Sequence, residues 1–213
     1  MPEWNAQALK NTLVERVDQI GVFVEAFPWE NKRAYGHWLA QTYYFVRHTT
    51  SFLGLTASRF GHWHRELQYR QIRHLREESG HDQLLVNDLA KLGHRFDDFE
   101  ELPETAALYQ SQYYFIDHEN PASHFAYAQC LEGAAATKIR LIYKRVETSH
   151  SSDACTFLRV HMEEDQDHFG RGFEILDSLT PVEIDSYSRN LHQTAYFYIQ
   201  MLTHIKAAAT EVR

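Results

Sequence analysis

The stretch HMEEDQDH, residues 161–168, places three side chains that can bind a metal at helical spacing. His161, Asp165 and His168 stand at positions i, i+4 and i+7, so a helix would present all three on one face. The apolar residues of the same segment continue that face, which turns the polar groups toward the core. Because a buried carboxylate is destabilising unless it is compensated, the segment predicts either a divalent metal site or a hydrogen-bonded His-Asp-His set that fixes helix packing.

A carboxylate–histidine pair stands earlier in the chain, in the segment REESGHDQLL. Glu78 and His81 are three residues apart, which is the spacing that dimetal carboxylate bundles use. Both fall near the leucine face of the predicted helix, whereas Glu77 falls toward its edge, so we expect Glu78 to be the ligand and Glu77 to be the alternative. His74 shares this face, and we interpret it as a core-edge histidine or an outer partner of the site. Gly80 between the pair is able to distort the helix.

A third segment, AQCLEGAAATKIRL, supplies another carboxylate. Glu132 lies on a face of small apolar residues, where a solvated acid is not expected, and an ion pair with Arg140 is the alternative explanation. Glu147 and His150 form a second carboxylate–histidine pair. This pair falls in the polar turn ETSHSSD, so we expect it at the surface.

Together these segments predict one site with three carboxylates and three imidazoles. The six predicted ligands are Glu78, His81, Glu132, His161, Asp165 and His168. Two Fe(II) ions, or two Mn(II) ions, would bring four positive charges against three negative ones and keep open coordination positions, which suits dioxygen, peroxide or a carboxylate substrate. A structural zinc site is not indicated, because neither Cys130 nor Cys155 stands near a ligand motif.

The elements that must position these residues are predicted to be helices, because apolar residues recur at three-to-four spacing and strand patterns are nearly absent. We expect an all-α bundle of about seven helices. Their predicted ranges are roughly 5–26, 28–58 with Pro28 in the first turn, 62–92 ending at Gly93, about 104–118, 121–147 with Asn120 as N-cap, 153–178, and a last helix to about 209 that opens on a Thr180–Glu183 capping box.

Composition limits the class of protein further. A chain of 213 residues with 44% hydrophobic residues suits a single domain spanning residues 1–213. A net charge of −8 without a basic cluster disfavours nucleic acid and anionic membranes as partners. There is no apolar run that would span a membrane and no signal-peptide pattern, so we expect a cytoplasmic protein whose cysteines are buried hydrophobes.

These residues resemble a known family, the haem-oxygenase-like diiron oxidases and oxygenases, which are relatives of the TenA thiaminases and the PQQ-synthesis oxidase. The most specific part of the resemblance is HMEEDQDHFGRGFEIL; the lone Glu132, the segment REESGHDQLLVNDLAKLG and the segment QTYYFVRHTTSFL complete it. It covers about residues 37–177. The segment EESGH is more compact than in many members, which leaves the choice between Glu77 and Glu78 open.

The resemblance implies a haem-oxygenase-like fold, a homodimer, and two ferrous ions that use dioxygen to oxidise a small organic substrate. The implied reactions are N-oxygenation, or oxidative C–C cleavage of an amine, an amino acid or a fatty acid. Within this expectation Glu132, Tyr44 and Tyr143 are the predicted catalytic residues. The alternatives are conversion of an internal tyrosine to p-aminobenzoate, and a metal-free binding or hydrolytic protein similar to TenA. Cys130 does not resemble the nucleophile that the TenA hydrolases use.

Overall fold

The computed structural model describes residues 6–211, without the side chains of Trp63, residues 163–169, Arg171 and Glu211. No strand occurs in this part of the chain, which confirms the all-α prediction. The α-helices are α1 (Ala6–Glu25), α2 (Lys32–Val46), α3 (Thr49–Arg59), α4 (Arg65–Glu77), α5 (His81–Lys91), α6 (Pro103–Tyr114), α7 (His124–Ser149), α8 (Thr156–Leu176) and α9 (Pro181–Glu211). A π-helical segment, Phe115–Glu119, continues α6.

Helix α7 is the central element of the bundle. It packs against α1, α8 and α9, and α9 in turn packs against α1, α2 and α6. The core between these helices is built from buried aliphatic and aromatic side chains, among them Leu9, Leu13, Tyr35, Leu39 and Tyr187. Burial of this apolar surface is the dominant favourable term in folding. One face of α7 is turned toward α8 and toward α4, whose His74 lies 3.3 Å from Glu132 of α7.

Two helices that the sequence predicts as continuous are each divided. The predicted helix over 28–58 begins later, because Asn31 rather than Pro28 marks its start and accepts a hydrogen bond from the Ala34 N–H. It is then interrupted between α2 and α3, where the His48 ring stacks on Tyr109 at 4.2 Å. No glycine or proline stands at that break, so the local pattern had nothing to indicate it.

The predicted helix over 62–92 is divided at the candidate site. Helix α4 ends at Glu77, and α5 begins at His81 after Gly80, whose φ of +97° lies in the left-handed region that favours glycine. The distortion anticipated at Gly80 is therefore a full change of helix. Glu78 and His81 flank it, so the contact between them is made across a turn.

Three of the predicted helix ends are confirmed. Gly93 follows α5 with a φ of +76°. Asn120 caps a 3₁₀ turn, Pro121–Ser123, that leads into α7. Thr180 and Glu183 form the capping box of α9, since Glu183 accepts from Thr180 N–H at 2.8 Å and donates to its Oγ1 at 3.4 Å.

Both cysteines are free and buried, as predicted. Burial raises the pKa of the Cys130 thiol to about 12 and that of the Cys155 thiol to about 11. A thiolate nucleophile at Cys130 is thereby disfavoured. Among the described residues, none of the helices is both long and apolar enough to pass through a bilayer.

Candidate metal centre and its cavity

Three of the predicted ligands meet where α4, α5 and α8 come together. One oxygen of Glu78 and one ring nitrogen each of His81 and His161 all lie within 4.8 Å of one another. The two imidazole rings are 5.0 Å apart between centroids. Since a metal ion binds such atoms at about 2.0–2.2 Å, one cation between them would contact all three after small side-chain adjustments.

The hydrogen bonds around these imidazoles select the nitrogen that faces a metal. His161 Nδ1 lies 3.0 Å from the carbonyl oxygen of Phe157, one turn earlier on α8, so Nδ1 carries the proton and donates it. His81 Nδ1 lies 3.2 Å from the Glu78 carboxylate and donates to it. In each ring Nε2 is then the unprotonated nitrogen, which is the one that would bind a metal. A hydrogen bond at the other ring nitrogen is the support that metal-binding histidines usually receive.

His74 joins the two predicted carboxylate ligands of different helices. Its Nε2 lies 3.4 Å from Glu78 and 3.3 Å from Glu132. Burial alone would raise the pKa of the Glu78 carboxyl, but the hydrogen bonds from His74 and His81 outweigh it and hold that pKa well below its ordinary value. Burial would likewise lower the pKa of His74, but the neighbouring glutamates raise it. The sequence pattern placed His74 on this face without indicating that it contacts both acids.

The sequence left two alternatives open, Glu77 as the ligand in place of Glu78 and Arg140 as the partner of Glu132, and the structure places both side chains at the surface. Glu77 is exposed, whereas the Glu78 side chain is 9% exposed and turned into the cluster. Arg140 is exposed as well, and the contact that Glu132 makes is with His74. Asp165 and His168 follow on α8, but their side chains lie outside the described residues, so their ligand role stays a prediction.

Glu147 and His150, the second carboxylate–histidine pair, make their hydrogen bonds away from the cluster. Glu147 accepts a hydrogen bond from the Tyr143 hydroxyl at 2.8 Å, and His150 Nε2 lies 2.8 Å from the carbonyl oxygen of Trp29. Neither residue is among the described residues that line the cavity of the cluster.

The two tyrosines predicted as catalytic are also bound elsewhere. Tyr143 donates to Glu147, and Tyr44 donates to the Phe99 carbonyl oxygen at 3.1 Å. Within the described part of the chain, the tyrosines that line the cavity are Tyr127 and Tyr198. The catalytic roles of Tyr44 and Tyr143 stay predictions, as does that of Glu132, which does line the cavity.

A cavity of about 130 Å³ adjoins the cluster. Its polar wall includes His74, Glu78, Glu132 and His161, and its remaining wall is mostly apolar, with Trp38 and Leu53 as examples. Helix α7 lines it along one face, and the described residues of that face are His124, Tyr127, Ala128, Leu131, Glu132, Ala134, Ala135, Ile139 and Ile142. The small residues that isolated Glu132 in the sequence are therefore the ones that leave space for the cavity.

Two buried polar groups of this cavity had no signal in the sequence. Thr42 on α2 and His124 at the start of α7 both line it and are at most 2% exposed. Another buried group, Asp88 on α5, accepts a hydrogen bond from the Phe157 N–H at the start of α8. A period-based argument finds faces, and it does not distinguish a polar residue that bonds inside the core from one at its edge.

The residues at the cluster fit a divalent metal. They combine buried carboxylate oxygen with imidazole nitrogen, the donor set that Fe(II) and Mn(II) accept, and the cavity beside them leaves room for a further ligand. The carboxyl of Glu78 is held ionised, as a ligand must be.

The chain is similar to several proteins of known structure. One is a domain of unknown function with a haem-oxygenase-like fold from Shewanella denitrificans, with 18% identity and a TM-score of 0.81 over 98% of this chain and 94% of that one. A TenA homologue from Pseudomonas syringae has 13% identity and a TM-score of 0.77 over 96% of each chain. A TenA homologue from P. horikoshii has 14% identity and a TM-score of 0.73 over 93% of this chain and 98% of that one.

At these identities the structural likeness establishes the fold, which is haem-oxygenase-like. No curated protein matches the sequence. Residues 36–198, which contain the described cluster, match the family of iron-containing redox enzymes. Because the match covers well over half of the chain, this protein belongs to the family of iron-containing redox enzymes.

Proposed function

We propose that the protein is a non-haem diiron oxidase or oxygenase that uses dioxygen to oxidise a small organic substrate held in the cavity. The observation that carries this proposal is the convergence of Glu78, His81 and His161 at the wall of a mostly apolar cavity. Membership of the iron-containing redox family gives that cluster its expected metal.

In this proposal two iron ions are held by the six ligands predicted from the sequence. Three of these, Glu78, His81 and His161, are already gathered. Glu132 contacts the same His74 nitrogen as Glu78 does. The two remaining predicted ligands, Asp165 and His168, are on α8. When bound, the ferrous ions would supply the electrons that dioxygen needs for activation.

The chain's own residues have three tasks. The carbonyl oxygen of Phe157 and the Glu78 carboxylate fix the protonation of the two imidazoles. The apolar wall excludes water from the reacting groups. His74 contacts both Glu78 and Glu132, and these glutamates raise its pKa, so in the metal-free chain a protonated His74 supplies the positive charge beside the two carboxylates that a metal would otherwise supply.

Metal loading tests the proposal directly. Anaerobic addition of Fe(II) should give about two irons per chain, and mixing with oxygen should consume dioxygen and produce a transient visible absorption. His161→Ala and Glu132→Ala should each lower the iron content. Glu147→Ala is the matched control, because Glu147 lies on the same helix as Glu132 but is exposed, and it should retain wild-type iron. If both ligand variants bind iron as the wild type does, the proposal fails.

A metal-free role is the second candidate, because the contacts of His74 compensate both carboxylates without a metal. It predicts that the thermal unfolding temperature is indifferent to Fe(II) and to chelators. A hydrolytic form of this role is disfavoured by the raised pKa of the buried Cys130 thiol.

A further inference from the structure

His124 is a buried donor at one side of the cavity. It is 1% exposed, it lines the cavity, and its Nε2 has no hydrogen-bond partner among the described residues. Its ring packs beside those of Phe52 and Tyr127, whose ring centroids lie 5.8 Å and 5.7 Å away. Buried polar side-chain atoms in folded proteins nearly always have a partner, so an unpaired one that faces a cavity indicates a ligand or a water.

The second nitrogen of the ring determines what that ligand must offer. His124 Nδ1 lies 3.4 Å from the side-chain amide nitrogen of Gln71, which is itself 1% exposed. The amide donates to Nδ1, and the ring proton is then on Nε2. Burial, together with repulsion from His74, lowers the pKa of His124 to about 3, so the ring is uncharged at neutral pH. The cavity therefore contains a neutral N–H donor that requires an acceptor.

The rest of the cavity defines the body of the ligand. A volume of about 130 Å³ is close to that of an apolar protein cavity of roughly 150 Å³ that holds benzene, so the ligand has about six to eight non-hydrogen atoms. No lysine or arginine is among the described lining residues, and Glu78 and Glu132 are acidic, so an anionic acceptor lacks a countercharge in the metal-free chain. The Thr42 hydroxyl is a second buried polar group of the cavity that has no hydrogen-bond partner among the described residues.

We infer that the cavity binds a compact, mostly apolar molecule through an uncharged oxygen, such as a carbonyl, that accepts a hydrogen bond from His124 Nε2–H. Gln71, which contacts His124, precedes His74 by three residues on α4, a rise of about 4.5 Å along the helix, and His74 contacts Glu78 and Glu132. The His124 end of the cavity therefore lies close to the carboxylate cluster. That this ligand is the substrate rests on the proposed function. The binding itself does not, because His124 is separate from the predicted metal ligands.

Two nearly isosteric probes test the inference. Cyclohexanone and methylenecyclohexane differ only in the presence of the oxygen acceptor, and their affinities are measured on the full chain, both metal-free and loaded with Fe(II) under anaerobic conditions. The ketone preference, which is the ratio of the affinity for the ketone to the affinity for the hydrocarbon, should be about threefold to tenfold higher in the wild type than in a His124→Phe variant, as one net hydrogen bond implies. Comparing the two proteins cancels the unequal cost of removing the two probes from water. In the metal-free chain, cyclohexanone should also shift the imidazole N–H signal of His124 in an NMR spectrum, and cyclopentanecarboxylate, an anion within the size range of the cavity, should bind more weakly than the ketone.

Variants separate the donor from the shape of the cavity. His124→Phe keeps a ring but removes the donor, so the ketone preference should fall by about threefold to tenfold. His124→Gln restores an N–H at a similar reach and should recover most of the preference, which keeps the test meaningful if the Phe variant does not fold. His48→Phe is the matched control, because His48 also stacks on Phe52 but is not among the described residues that line the cavity, and it should keep the wild-type preference.

The same ketone preference in the wild type and in His124→Phe, or an unshifted His124 signal, would overturn the inference and leave only a water at Nε2. Tighter binding of the carboxylate to the metal-free chain would overturn its uncharged character. Neither result depends on iron. Conversely, a chain that prefers the ketone but never binds iron would sustain this inference while the proposed function fails.

Discussion

The carboxylate of Asp88 accepts a hydrogen bond from the backbone N–H of Phe157 over 2.8 Å. Asp88 lies on α5, seven residues after His81, and Phe157 lies on α8, four residues before His161. Helix α8 has no side-chain cap of its own, since its N-cap position is Cys155. One fully buried carboxylate from another helix therefore caps α8 and fixes to each other two helices that carry predicted ligands.

Removal of this link should loosen the site. We expect Asp88→Ala to lower the free energy of unfolding by about 2 kcal/mol, because the first turn of α8 loses its cap. Iron affinity should fall by about tenfold, since outer contacts orient metal ligands. Chemical denaturation and iron titration measure the two effects. Asp88→Asn retains an oxygen that can accept from Phe157 and should lose much less, so equal losses in the two variants would count against the link.

Gly80 should be required for both backbone and site. An alanine there must adopt the left-handed conformation, which costs about 1–2 kcal/mol, although an added Cβ would meet nothing within 4 Å. Gly93→Ala is the matched control, because Gly93 also has a positive φ and open space around it. Both variants should be destabilised in urea, but only Gly80→Ala should lower iron affinity, since it stands between Glu78 and His81. Equal iron affinity in both would contradict the positional role of the turn.

His74 should stabilise the metal-free chain. His74→Ala leaves Glu78 and Glu132 without their shared imidazole, and we expect the free energy of unfolding to fall by about 3 kcal/mol in the presence of a chelator. Fe(II) should restore much of the loss, because it supplies the missing positive charge. The control is His64→Ala, whose histidine is 37% exposed and lies 3.6 Å from Glu183; it should cost at most about 1 kcal/mol. A His74 variant as stable as the wild type would contradict this role.

His37 should contribute to loss of stability in acid. Burial, with repulsion from His204 and Arg33, lowers the pKa of His37 to about 4. The folded chain therefore keeps this ring neutral, and its contribution is complete above pH 6.5 and is lost as the pH falls toward 4. His37→Phe should keep the stacking on Phe99 and reduce the fall in unfolding free energy between pH 6.5 and 4.5 by about 1 kcal/mol, a figure reduced for partial exposure. Urea midpoints at the two pH values measure it, and parallel losses in both proteins would contradict it.

Much of the fold could be predicted because it depends on local rules. Periodicity located the helices, and the glycine and capping patterns at Gly93, Asn120 and Thr180 located several of their ends. The break at His48 depends on ring packing against Tyr109, a contact between distant parts of the chain, so no local pattern contained it.

In the candidate site, too, some features could be predicted from local patterns and others depend on contacts between distant parts of the chain. Glu78, His81 and His161 were predicted because polar groups on an apolar face are conspicuous. The bridging position of His74 and the partnerless Nε2 of His124 depend on which helices face one another, and a single sequence does not contain that information. Gly80 shows the intermediate case: the residue type indicated a distortion, and the three-dimensional contacts determined that it became a change of helix.

The burial of both cysteines has a practical consequence for all of these experiments. With pKa values of about 12 and 11, the thiols of Cys130 and Cys155 are almost entirely protonated at neutral pH and are shielded from solvent. The folded protein should therefore resist alkylation by iodoacetamide and should not form intermolecular disulfides in air. Each opening of the core exposes a reactive sulfur, so the rate of alkylation reports how often each variant unfolds, in the same oxygenated buffers in which its activity is assayed.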